Sequence, residues 1–146
     1  MLHLLTELLP PGRTSHYAGD DDLHVQLYLD DGRGPALVRV SVGQTAPYRD
    51  EPDRGGTTTV TITEAPGDCG LGTEVGAAWP DGTRVDVGVP TCLPFDGRQN
   101  RPTRAALTVD QAVRVATDPR WGVTMDAGLV TGAARYFPSV PAAVLG

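Results

Sequence analysis

Apolar and polar residues alternate along four stretches in the middle of this chain, and helical stripes flank them. Leu4, Leu5, Leu8 and Leu9 recur with spacings of one, three and four, which predicts a short helix over residues 2–9. Pro10-Pro11-Gly12 ends it, because proline cannot continue the helical ladder. Residues 13–22 are polar, carry no apolar period and read as loop. Over residues 23–30, Leu23, Val25, Leu27 and Leu29 alternate with His24, Gln26, Tyr28 and Asp30, the period of a half-buried strand. Asp30-Asp31-Gly32-Arg33-Gly34-Pro35 supplies a turn, and residues 36–42 alternate again through Val38, Val40 and Val42. The two stretches predict an antiparallel hairpin.

A Pro-, Gly- and charge-rich stretch follows, Gly43 to Gly56, which reads as a long loop. The third strand is Thr57–Thr63, with Thr58, Val60 and Ile62 on one face and threonines on the other. Glu74–Trp79 and Thr83–Val89 predict a second hairpin through Pro80-Asp81-Gly82, with Val85, Val87 and Val89 inward. Residues Pro90 to Arg104 read as irregular. The clearest helix is 108–117. Thr108 and Gln111 form a capping box, Leu107 is placed as a staple toward Ala112, and Val109, Ala112, Val113 and Ala116 make the expected buried stripe. Asp118-Pro119 stops it, and Trp121 is expected to pack back beneath it. A weaker helical pattern runs from Met125 to Phe137, with Leu129, Ala133 and Phe137 on one side and Gly128 and Gly132 within it. The tail from Pro138 is expected to be ordered only by docking. The order is helix, five antiparallel strands, then one or two helices. That predicts a single α+β domain, residues 1–146, with terminal helices packed on one face of the sheet.

Composition agrees with this class. The chain has 146 residues, 18 Gly and 13 Pro, with only 5% aromatics, which favours a turn-rich α+β globule over a helical bundle. The basic residues are all Arg, and Ile62 is the only isoleucine, a bias that points to a GC-rich genome such as an actinobacterial one. A net charge of −6 without an arginine run argues against nucleic-acid binding. No stretch approaches the roughly 20 apolar residues that span a bilayer.

Cys69 and Cys92 are the only cysteines, and they bracket the second hairpin. A hairpin brings its ends together, so the pair reads as a disulfide and implies an oxidising compartment. The opening Met1-Leu2-His3-Leu4-Leu5 has no basic n-region, so on that reading an export signal or membrane anchor lies upstream of Met1. Two buried thiols in a cytoplasmic protein are the alternative. A reactive thiol is disfavoured, because Asp68 beside Cys69 opposes thiolate formation.

Other chemistry is sparse. His16, Asp20, Asp21, Asp22 and His24 fall within nine residues and could hold a weak cation. Their spacing matches neither a zinc motif nor an EF-hand loop, so no metal site is assigned. Ser15, Ser41 and Ser139 are the only serines, and no Gly-x-Ser-x-Gly elbow is present; Ser15 beside His16 is adjacency in sequence, not a dyad. Asp30 and Asp31 sit where they serve a turn. Gly32-x-Gly34 and Gly70-x-Gly72 open no helix and are read as turn glycines, and Gly128 and Gly132 as packing glycines. No catalytic residue and no cofactor are assigned.

Four segments carry a resemblance. They are Leu5-Thr6-Glu7-Leu8-Leu9-Pro10-Pro11-Gly12, Leu29-Asp30-Asp31-Gly32-Arg33-Gly34-Pro35-Ala36, Trp79-Pro80-Asp81-Gly82-Thr83-Arg84-Val85, and Leu107-Thr108-Val109-Asp110-Gln111-Ala112 with Ala116-Thr117-Asp118-Pro119-Arg120-Trp121. In this order they resemble actinobacterial, Streptomyces-like extracytoplasmic domains of unknown function that follow a single membrane anchor. The resemblance implies location and architecture, and carries no catalytic residues; the segment after Trp121 has no counterpart in it.

The sequence thus leads to a non-enzymatic extracytoplasmic domain that binds, senses or interacts with a protein or small-molecule partner. It meets the membrane only through its anchor. The expected contact surfaces are the threonine-rich strand face and the loop from Gly43 to Gly56. One alternative is a small secreted metal-dependent enzyme using His16, Asp20–Asp22 and His24. The other is a cytoplasmic protein that assembles with itself or with a partner.

Overall fold

The computed structural model describes residues 1–20, 23–44, 56–93, 101–122, 125 and 127–141. Helix α1 (Leu2–Leu8) is followed by strands β1 (Arg13–Asp20), β2 (His24–Asp30), β3 (Pro35–Gln44), β4 (Thr59–Ala65), β5 (Gly72–Ala78) and β6 (Thr83–Val89). A short ribbon of β7 (Cys92–Leu93) and β8 (Arg101–Pro102) comes next, then helices α2 (Val109–Ala116) and α3 (Ala127–Tyr136). The six long strands form one antiparallel sheet in the order β1-β2-β3-β6-β5-β4. The class is α+β, with one strand more in the sheet than the sequence pattern predicts.

The extra strand is β1, in the stretch read as loop. Its alternation is hidden for two reasons. It is an edge strand in which Ala18 alone is buried over residues 13–19, and its register against β2 shifts between Ser15 and Ala18, where His16 takes a positive φ of 55°. The β7–β8 ribbon likewise corrects the irregular reading of Pro90 to Arg104. Residues 94–100 of that stretch, 45–55 of the expected loop, Asp21 and Asp22 lie outside the described residues.

One face of the sheet carries the main core. Val25, Leu27, Leu29, Val38, Val40, Val75, Ala77, Val85 and Val87 are buried there with Leu4 and Leu5 of α1 and Ala112, Val115 and Ala116 of α2. Helix α2 packs over β5 and β6, and α1 contacts α2, α3 and β1. The predicted stripe on α2 is rotated. Val115 takes the buried place assigned to Val109, which is exposed, while Val113 is half-buried against the core. The capping box forms as expected: the Gln111 backbone N–H donates to Thr108 Oγ1 at 3.2 Å and the Thr108 N–H donates to Gln111 Oε1 at 2.9 Å. Such a cap is worth about 1 kcal/mol. Leu107 is buried beside it and Trp121 packs beneath the helix, both as the pattern predicts.

The two main turns follow their chemistry. Asp30 Oδ1 accepts from the backbone N–H groups of Gly32 (2.8 Å) and Gly34 (3.0 Å), and both glycines have positive φ. At the second turn the Thr83 N–H donates to Asp81 Oδ1 at 2.9 Å and Gly82 takes φ 85°. Helix α3 has no fully buried residue, but Leu129 and Phe137 lean against the core and Phe137 meets Tyr17 edge-on at 4.8 Å. The chain beyond it docks on β1, where the Gly19 N–H donates to the Pro141 carbonyl at 2.9 Å.

Candidate functional site

Strand β4 closes one edge of the sheet, and it is the least covered strand of the sheet. All its residues except Ala65 are exposed. The period-two pattern sets Val60 and Ile62 on one face, and the register turns that face to the core side: Val60 lies opposite Ala77 and Ile62 opposite Val75. Those β5 partners are fully buried, whereas Val60 is 39% and Ile62 50% exposed. Helix α2 covers β5 and β6 and stops short of β4, so the apolar face of the sheet continues into solvent. On the opposite face Thr59, Thr61 and Thr63 form an exposed hydroxyl row. Among the described residues nothing pairs with the outer edge of β4.

Next to β4, the loop 66–71 is held by three connections. Cys69 and Cys92 are bonded, with Cα atoms 5.3 Å apart, so the pair is a disulfide and not two buried thiols or a reactive cysteine. The Thr91 N–H donates to the Cys69 carbonyl at 2.9 Å. Arg39 Nη1 donates to the Gly70 carbonyl at 3.2 Å from the middle of β3. Burial is the main cause holding the Arg39 pKa below its usual value, with the Tyr28 hydroxyl opposing it. Gly72 then starts β5 at φ 61°, and a Cβ there would lie 2.3 Å from the Val89 carbonyl oxygen, so only glycine fits.

A second surface lies at the β2–β3 turn. Arg33, Leu93, Arg101, Pro102 and Arg104 line a cleft of about 390 Å³. Sequence reading missed it, because its arginines come from two segments about 70 positions apart that only the ribbon brings together; Arg33 two residues after Asp31 was the sole local signal. Asp31 answers two of the three cations, pairing with Arg33 Nη2 at 2.8 Å and with Arg104 Nη2 at 2.5 Å. The side-chain hydrogen bond from Arg33 is the main cause holding the Asp31 carboxyl below its ordinary value. The Arg33 backbone N–H and the Arg104 charge add to it, and desolvation opposes it. A depressed carboxyl stabilises the fold above its unfolded pKa of about 3.9, and the contribution is lost as pH falls through the folded value. Asp31→Asn is therefore expected to melt below wild type at pH 7 and 5, with the gap closing below about pH 4. Thermal melts at pH 7, 5 and 3 check this; a gap as wide at pH 3 as at pH 7 would contradict it.

The two histidines of the histidine and aspartate cluster are not brought together. His16 stacks on Tyr28 with ring centroids 4.5 Å apart, while His24 Nδ1 lies 3.2 Å from Ser41 Oγ at the far end of β2. Four strand positions, roughly 13 Å, separate the two. Asp20 pairs with His24 in register, and Asp21 and Asp22 lie outside the described residues. Among the described residues no cluster of three potential metal ligands occurs. Ser15 Oγ is 2.9 Å from His16 Nδ1, closer than adjacency alone requires, but among the described residues no carboxylate orients the ring. Comparison with known protein families, characterised proteins and solved structures finds no match.

Proposed function

We propose that this chain is the extracytoplasmic interaction domain of a membrane-anchored or secreted actinobacterial protein, acting by contact and not by catalysis. The observation that carries this reading is the β4 edge, where Val60 and Ile62 stand exposed beside fully buried Ala77 and Val75. A sheet edge with open main-chain groups and two aliphatic side chains offers a strand-addition surface. The disulfide is consistent with an oxidising compartment, and the four-segment resemblance supports the anchored location. The rigid hairpin and its staple hold β4 in place on one side, as a recognition edge requires.

The test is crosslinking in cells of the source organism. A photoreactive residue replacing Thr61 is expected to give a discrete adduct, and the same residue at Arg33, on the opposite side of the sheet, none. Alkylation of the same cells without reductant should leave Cys69 and Cys92 unmodified. No adduct at Thr61 would overturn the interaction surface, and two reactive thiols would overturn the compartment.

A further inference from the structure

We infer that the occupant of the β4 edge is a second copy of this chain, joined by antiparallel β4–β4 pairing about Thr61; this rests on reading β4 as the contact surface.

The two edges of the sheet are built differently. On β1 the register is broken at the bulge between Ser15 and Ala18. The Gly19 N–H is taken by the Pro141 carbonyl, and Val140 sits 3.7 Å from where a side chain at Gly19 would begin. Bulges and coverings of this kind keep an edge from pairing with another chain. Among the described residues, strand β4 has neither. It pairs with β5 without a register shift from Thr59 to Ala65, contains no proline, lysine or arginine, and carries one charge, Glu64. A sheet with one blocked and one open edge cannot extend head to tail into a fibre. Pairing open edge to open edge instead gives a closed two-fold dimer.

The sequence of β4 is self-complementary about Thr61. A two-fold axis through Thr61 sets Val60 opposite Ile62 of the second copy, and Ile62 opposite its Val60. The four aliphatic side chains then form one strip on the core face, continuous with Val75 and Ala77 of each copy. Thr59 meets Thr63 on the other face, a favourable cross-strand pair. Glu64 meets Thr58, not another Glu64. Moving the axis to Ile62 would set Val60 against Glu64, and moving it to Thr63 would set Ile62 against Glu64. Both bury a carboxylate in the apolar strip, so the axis at Thr61 is favoured.

The helices leave room. Helix α2 lies over β5 and β6, and in the dimer the two β5 strands are three strand spacings apart, about 14 Å. Two helices about 10 Å across fit on either side of the seam. The product is a continuous sheet with six strands from each copy.

Sedimentation velocity on the whole chain tests this, together with two sets of variants. Wild type is expected at twice its 15.4 kDa mass. Val60→Lys/Ile62→Lys is expected at half that mass with an unchanged circular dichroism spectrum, since both positions are exposed in the single chain. Thr61→Cys, oxidised with copper phenanthroline, should give a covalent dimer, because residues facing each other across an antiparallel pair have Cα atoms about 4.5–5.5 Å apart, within disulfide reach. Thr63→Cys should not, since the two cysteines would stand roughly 13 Å apart. A wild type that stays monomeric at all concentrations overturns self-pairing. So does a dimer that survives the double lysine variant or is trapped equally well through Thr63→Cys. If wild type is monomeric yet the photoreactive residue at Thr61 captures a product of another mass, the interaction surface stands and its partner is a different chain. If neither product forms, both readings fail.

Discussion

Replacing Trp121 with alanine is expected to remove about 3–5 kcal/mol of stability, the range for a large aromatic cut out of a packed core. Trp121 is the largest fully buried side chain of the protein. Its ring belongs to the same core cluster as Leu4 and Leu5 of α1, Ala112, Val115 and Ala116 of α2, and the sheet valines. Its Nε1–H donates to the Val115 carbonyl at 2.7 Å, near the C-terminus of α2, where helix carbonyls lack partners along the ladder. The turn that delivers it is fixed in the same way. The Arg120 N–H donates to Asp118 Oδ1 at 2.9 Å, and Arg120 reaches Glu7 of α1 at 2.9 Å. Alanine therefore leaves a cavity, leaves the Val115 carbonyl with only the long 3.4 Å bond from the Asp118 N–H, and loosens the join between two helices. Phenylalanine keeps most of the volume and loses the indole hydrogen bond, while the Asp118 N–H still reaches the Val115 carbonyl, so Trp121→Phe should cost about 0.5–1.5 kcal/mol, the net worth of one hydrogen bond. Urea unfolding of the three proteins, read as ΔG in water with matched m-values, checks the ordering. An alanine variant within 1 kcal/mol of wild type would sink the account.

What could be read from the sequence depended on how deeply each element is buried. Strands β2, β3 and β6 announce themselves because Leu27, Val40 and Val87 face a dry core while their neighbours do not, and that difference is the period-two signal. Strand β1 gives no such signal: one buried alanine over residues 13–19 and a bulge at His16 leave nothing to count. Helix α2 was legible in its ends, where capping chemistry is local, but not in its rotation. Whether Val109 or Val115 faces inward depends on how the helix sits across β5 and β6, which its own residues do not encode. Strand β4 lies between these cases. Its β-branched residues identified it as a strand, yet its exposure follows from being last in a sheet order that no single segment reveals. The site was half legible for the same reason. The threonine-rich face was found from residue type, while the arginine cleft needed the β7–β8 ribbon to bring distant residues together.

The disulfide was legible because it needed only a hairpin, and its removal has the second large expected effect. Cys69 precedes β5 and Cys92 follows β6, 23 positions apart, so the bond closes a ring around a hairpin that is already paired. Closing a ring of that size removes chain entropy from the unfolded state worth roughly 3 kcal/mol. Cys69→Ser/Cys92→Ser should lose about that much, with a melting temperature lower by about 6–12 °C at 2–4 °C per kcal/mol for a domain near this size. The loss should be global in magnitude and local in dynamics. The β5–β6 ladder keeps the hairpin, but loop 66–71 then depends on the Arg39 hydrogen bond to Gly70 and the Thr91 N–H to the Cys69 backbone carbonyl. Hydrogen exchange at the Thr91 amide should accelerate well before that of Val87 in the sheet centre. The loop sits at the end of β4, through Ala65 and the Asp68 N–H that donates to its carbonyl at 3.0 Å, so the staple also steadies the open edge. A thiol count gives the companion measurement: none in unreduced, denatured protein and two after reductant. If reduced and oxidised protein melt together, the bridge adds no stability and the expected loss is refuted.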